Sequence, residues 1–191
     1  MVEKFKDILR GKRLILKRNL PTIETAKTMF KTIDKNRKHL RPWMIWEKLT
    51  LKTEDTMKYL FEKEGEFKAG KKVDYGIYLK KKYIGNIGIF NIDSKNKSAE
   101  IGYWISHSST KKGYTTEAVK IIEKEFFEKI KLNRICIECD EKNKASAKTA
   151  IKCGYTLEGT RREDGFNEST KKFRSTQMYS KLKSEYKTKP I

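Results

Sequence analysis

The stretch from Ala99 to Ala118, AEIGYWISHSSTKKGYTTEA, carries the clearest chemical potential in the chain. Ala99–Ile105 has the β-preferring bulk of Ile101, Tyr103 and Trp104, and His107–Lys112 is a polar connector. Gly113 then opens a helix whose first turn holds Tyr114, Thr115 and Thr116. A strand, a basic glycine-containing loop and a helix start suit an anion, because the first N–H groups of a helix are unpaired and its dipole points at the loop. Lys111 and Lys112 add positive charge, although a lysine pair in a loop is by itself only a solvated surface. Cys136 and Cys139 spell C-x-x-C but fall in the strand candidate Arg134–Asp140. Residues three apart on a strand face opposite sides, so neither a redox pair nor a metal pair is expected. His39 and His107 do not complete a ligand set, and no metal is expected. In His39–Glu47, HLRPWMIWE, Trp43 and Trp46 crowd around Pro42. Their rigid amphipathic rings suit an acceptor-binding wall and equally suit a cap on the core.

These groups need a scaffold, and the apolar pattern outlines one. Met1–Leu9 reads as a short lead-in helix and Arg13–Lys17 as a first strand. Pro21 precedes a helix at Thr22–Ile33 with Ile23, Ala26, Met29 and Phe30 as its apolar stripe. Thr53–Ala69 is a second helix, with Thr53 as N-cap and Met57, Leu60 and Phe61 toward the core. Val73–Leu79, Tyr83–Ile92 and Ala99–Ile105 form an antiparallel meander. Ala118, Ile122, Phe126 and Ile130 recur every fourth residue and mark the buried face of the central helix. That helix joins two strands, so a right-handed parallel crossover to Arg134–Asp140 is the default. Asn143 caps a helix at Lys144–Lys152 and Gly154 ends it. Tyr155–Gly159 and Phe173–Leu182 are the last strands, and Arg161–Lys172 between them reads as a polar hairpin loop.

The 191 residues suffice for one domain, expected over 1–183, with a basic, frayed tail at 184–191. Hydrophobic residues make up 37% and aromatic residues 11%, which excludes a disordered chain. Lys and Arg total 45 against 25 acidic residues, a formal charge of +20. That excess favours acidic partners such as nucleic acid or ribosomes, but the lysines are spread along the whole chain and equally read as a lysine-filled surface. Met1–Arg10 has no continuous apolar core and no run approaches a membrane span, so neither an export signal nor a membrane partner is expected. With reduced thiols this points to the cytoplasm.

AEIGYW followed by KGYTTEA resembles the acyl-CoA-binding motif of the GNAT N-acetyltransferase superfamily, most closely its ribosomal-protein serine/alanine N-terminal acetyltransferases. In that family the loop runs Gln/Arg-x-x-Gly-x-Gly/Ala; the matching positions are Thr110, Gly113 and Thr115, so the middle glycine alone is kept. NKASAKTAIKCGYTLEG resembles the family's second coenzyme A segment through Asn143, Ser146, Gly154 and Tyr155. The resemblance implies a single α+β domain with a mixed, mostly antiparallel sheet flanked by helices, and acetyl-CoA as donor. It implies backbone contacts to the cofactor from Trp104, Ile105 and Ser106, where the central strand would diverge from its parallel neighbour. By the same resemblance, Glu100 or the loop acids Glu163 and Asp164 are candidate bases. Ser146 takes the acid role, because the tyrosine many members use corresponds here to Ala150. Trp43 and Trp46 fall beside the acceptor. The acceptor is expected to be a protein N-terminus, a ribosomal protein first. A small amine such as a polyamine or antibiotic, and a non-catalytic acyl-CoA or RNA-binding module, are the rivals; oligomeric state is not encoded.

Overall fold

The computed structural model describes residues 5–167 and 171–187. Its elements are Ile8–Arg10 (β1), Leu14–Arg18 (β2), Ile23–Asp34 (α1), Arg37–Leu40 (α2), Thr53–Lys68 (α3), Val73–Leu79 (β3), Lys82–Asp93 (β4), Ser98–Ile105 (β5), Tyr114–Glu123 (α4), Arg134–Asp140 (β6), Lys144–Lys152 (α5), Thr156–Asn167 (β7) and Lys172–Leu182 (β8). The strands form one sheet in the order β1-β2-β3-β4-β5-β6-β8-β7. β5 and β6 run parallel and every other neighbouring pair is antiparallel. This is the mixed, mostly antiparallel α+β architecture expected.

Alternation along the strands sends two sets of side chains to opposite faces. On one face Leu16, Tyr75, Ile87, Ile101 and Ile137 pack with Ala118, Ile122 and Phe126 of the central helix and with Ala147 and Ala150 of α5. On the other, Tyr83 and Trp104 pack with Ala26, Met29 and Ile33 of α1 and Leu60 of α3. The central helix continues past α4 as a π-helical turn, Lys124–Lys129, before Leu132 closes the crossover. A buried ion pair fastens it to β8: Lys181 Nζ lies 3.1 Å from Glu123 Oε1 and donates to the Cys153 carbonyl at 2.7 Å.

Several local expectations are corrected. Ile8–Arg10 is a strand on the edge of β2, not part of a helix; residues 1–4 lie outside the described residues. A nine-residue helix is marginal alone, and the unpaired edge of β2 offers better-bonded backbone. Thr53 is the first residue of α3 rather than its cap; Asp55 accepts the N–H groups of Leu51 and Lys52 instead. Phe61 is 60% exposed, so the apolar stripe of α3 is narrower than its composition suggests. Arg161–Lys172 is largely strand, because β7 runs on to Asn167 through bulges at Leu157/Gly159 and Arg161/Gly165. Of the segment 184–191, Tyr186 is anchored: its ring lies 5.1 Å from that of Phe127 and its hydroxyl donates to Glu128. Residues 188–191 lie outside the described residues.

Candidate active site

β5 and β6 pair only from Ser98 with Arg134 to Ile101 with Ile137. Both strands continue, β5 to Ile105 and β6 to Asp140, but no longer pair. The sheet therefore opens into a gap. The Ser106 N–H donates to the Ile84 carbonyl at 2.7 Å, so antiparallel alternation turns the amides of Trp104 and Ser106 toward β4. The amides of Tyr103 and Ile105 face the gap instead. Ser106 is buried and its hydroxyl donates to that of Ser109, which places it behind the strand rather than in the opening.

A cavity of about 910 Å³ runs through this gap. At one mouth is the start of α4. Gly113 has φ of +76°, a left-handed conformation that a side chain would strain, and it provides no side-chain cap. The first intrahelical bond is Glu117 N–H to the Gly113 carbonyl, so the amides of Tyr114, Thr115 and Thr116 have no partner inside the helix. Arg13 braces the loop, donating to Glu117 and to the Lys112 carbonyl and stacking over the Tyr114 ring. Thr110 lines the cavity while its hydroxyl donates to the His107 carbonyl, and the Lys112 ammonium donates to the Ser108 carbonyl. Lys111 lines the mouth together with Lys144, Lys148 and Lys152 of α5. Those three lysines were missed in the sequence, although their spacing of four puts them on one helix side.

Asn143 caps α5 by accepting from the Ser146 N–H at 3.2 Å. The Ser146 hydroxyl lies 3.0 Å from that of Tyr103 on β5. Burial pushes the Tyr103 phenol well above its ordinary range, beyond what Ser146 returns, so it stays protonated. Tyr103 is a second residue missed by motif reading; its position in a cleft-side strand, one face removed from Trp104, was the available signal.

Away from the start of α4 the cavity is lined by β5, α2 and the segment after it. Glu100 projects from β5 to the same face as Trp104, and accepts from Asn91 at 3.2 Å. Burial, and then the Glu138 carboxylate on β6, push it up to about 7, against the lowering effects of Asn91 and Arg161. Trp43 and Trp46 line the cavity. Trp46 also packs at a tilt against Trp104, with 6.1 Å between ring centres, so it belongs both to the core and to the cavity lining. The segment is clamped by Glu47, 1% exposed, which takes Arg37 at 2.9 Å and Arg41 at 3.1 Å. Asn167 on β7 donates to the Pro42 carbonyl at 3.3 Å and ties the far hairpin to this wall.

Glu163 and Asp164 are not brought to the cavity. Glu163 sits exposed on the β7 bulge with φ of +50°. Asp164 accepts from Arg161 and Thr176; burial raises its carboxyl, but those two bonds more than offset it and hold it below the usual range. Cys136 and Cys139 are free and fall on opposite faces, and among the described residues no His/Cys/Asp/Glu group gathers as a metal site. Among the described residues no helix is long and apolar enough to cross a membrane.

The sequence profile of the acetyltransferase (GNAT) domain matches residues 13–156. The chain is similar to the ribosomal-protein-serine acetyltransferase of Escherichia coli, with 28% identity over 141 residues, 74% of this chain and 79% of that protein. It is also similar to a putative ribosomal N-acetyltransferase, YdaF, of Bacillus subtilis, with 32% identity over 48% of this chain and 50% of that one. Among solved structures, the microcin C7 self-immunity acetyltransferase MccE in complex with acetyl-CoA and AMP superposes with a TM-score of 0.83, at 25% identity over 90% of this chain and 93% of the other. A RimL ribosomal alpha-N-protein acetyltransferase in complex with coenzyme A shares the fold with a TM-score of 0.86, at 21% identity over 92% and 97% of the two chains.

Proposed function

This chain belongs to the GNAT acetyltransferase family, and on that premise we propose that it acetylates the α-amine at the N-terminus of a protein, a ribosomal protein being the substrate class. It is an acetyl-CoA-dependent enzyme. The observation that carries the reading is one cavity passing through the splayed sheet, with a bare helix start at one end and a carboxylate raised to about 7 at the other. The residues fit the donor: the gap exposes strand amides, and the mouth presents unpaired helix amides with Lys111, Lys144, Lys148 and Lys152. When bound, acetyl-CoA supplies the activated acetyl group as a thioester.

The chain's own groups then divide the work. The amides of Tyr114 to Thr116 and the lysines hold phosphate charge. The amides of Tyr103 and Ile105 and the side-chain NH₂ of Asn143 orient the acyl arm, and a gap-facing amide provides the hydrogen bond that a developing oxyanion needs. Glu100 removes the proton from the acceptor ammonium through a water. Ser146 Oγ, backed by the Tyr103 hydroxyl, returns a proton to the leaving sulfur. Trp43 and Trp46 wall the acceptor.

A second reading, a small amine acceptor, draws on Asp74, whose buried carboxylate lines the cavity, accepts from Tyr59 and Asn86, and has Lys72 Nζ 4.0 Å away as the ammonium it already faces. The test is to incubate the enzyme with acetyl-CoA and either purified ribosomal proteins or a polyamine and antibiotic panel, reading mass gain by spectrometry. One acetyl group on a protein N-terminus supports the proposal; turnover of small amines alone refutes it.

A further inference from the structure

The open face of β6, β8 and β7 carries three arginines, and two of them are fully matched. Arg134 forks onto Glu158. Arg161 is shared between Glu138 and Asp164. Arg174 on β8 has neither an ion pair nor a hydrogen bond among the described residues; its Nε is out of contact with solvent and unpartnered. Asp164 acts on it through space, while its oxygens accept from Arg161 and Thr176. An N–H so placed is costly unless something accepts from it. Arg174 lines the cavity. Gly165 opposite keeps the arginine there: a Cβ at that position would stand 2.8 Å from Nε.

The position is specific. Arg174 lies two strands from β5 and two residues beyond Thr176, which pairs with Asp140 at the open end of β6. Two strand spacings and one residue's rise set a minimum of roughly 10 Å between its backbone and the end of β5, which the splay of β5 from β6 widens. An extended chain advances about 3.4 Å per residue, so an acceptor whose amine sits beside β5 reaches Arg174 at its third or fourth residue. Arg174 shares a sheet face with Met178, the partner of Glu138, whereas Lys144, Lys148 and Lys152 belong to α5, which packs on the other face, and that leaves Arg174 to the acceptor.

We propose that Arg174 selects peptide acceptors carrying an acidic side chain at the third or fourth position, binding its carboxylate through the guanidinium. This rests on the peptide reading above. It also gives a chain of charge +20 a local reason to draw in an acidic terminus rather than a basic one.

The experiment compares two eight-residue peptides that differ only in Asp against Asn at positions three and four. Each is assayed for kcat/KM with the wild-type enzyme, Arg174→Gln and Arg174→Lys. The wild type is expected to favour the Asp peptide by about tenfold or more, the range of a charge-assisted hydrogen bond. Arg174→Gln removes the preference, and Arg174→Lys keeps part of it. Retained acetyl-CoA binding and an unchanged Tm show that the variants are folded. Equal wild-type rates on both peptides, or a preference that survives Arg174→Gln, overturn the inference and leave the peptide reading standing. Turnover of small amines with neither peptide acetylated overturns both.

Discussion

Glu100 offers the sharpest test of the chemistry. Its carboxyl is raised to about 7 by burial and by the neighbouring Glu138. On that midpoint the base form falls from about 0.9 at pH 8 to about 0.1 at pH 6, so kcat/KM should lose nearly tenfold per pH unit below 6. The acceptor's own α-amine titrates near 7.7–8.0 and contributes a second limb. The enzyme's limb can be told apart because it depends on Glu138. Glu138→Gln removes the like charge and frees Arg161, both of which favour the Glu100 anion, so the limb should move to lower pH. Glu100→Gln should abolish that limb and cost about 100-fold or more at pH 8, the usual contribution of a positioned base. The assay is acetylation of an N-terminal peptide from pH 5 to 9, followed by thiol release. A limb that stays in place in both variants refutes Glu100 as the base.

The same carboxyl makes a stability prediction. Its folded-state value lies above the ordinary 4.5, so the native protein holds a proton that the unfolded chain has released between about 4.5 and 7, and stability falls as pH rises through that window. Glu100→Gln should therefore raise Tm at pH 8 and leave it unchanged at pH 4. Lys181→Met leaves Glu123, 2% exposed, without its partner; urea unfolding should show a loss of about 3–5 kcal/mol. Ser146→Ala should lower kcat while the KM for acetyl-CoA stays put, as expected if its hydroxyl serves proton return rather than binding.

Much of this molecule is legible in its sequence because its strongest signals are local and periodic. The central helix declares itself through Ala118, Ile122 and Phe126, and β6 and α5 fall on Arg134–Asp140 and Lys144–Lys152 as read. The Asn143 cap is a short-range bond that its residue type dictates. What was not legible depends on pairing between distant segments. β1 exists because β2 has a free edge, and β7 extends to Asn167 because β8 pairs with it across a polar stretch that carries no apolar pattern. The site divides the same way. The glycine at the start of α4 is visible in one stretch, whereas the Tyr103–Ser146 contact joins residues 43 apart. The rise at Glu100 comes first from burial and then from Glu138 on a parallel neighbour, both set by the fold, and the unpartnered Nε of Arg174 emerges only once the partners of Arg134 and Arg161 are known.

The central claim is that the gap between β5 and β6, with the start of α4, holds acetyl-CoA. Calorimetric titration of acetyl-CoA into the wild type and into Gly113→Glu tests it directly. Gly113 is left-handed and a glutamate there brings both backbone strain, about 1–2 kcal/mol, and an opposing charge at the phosphate mouth. One site of about micromolar affinity, near −8 kcal/mol, is expected in the wild type and is lost in a variant that still unfolds cooperatively. No heat with the wild type, or binding undiminished in Gly113→Glu, would contradict it.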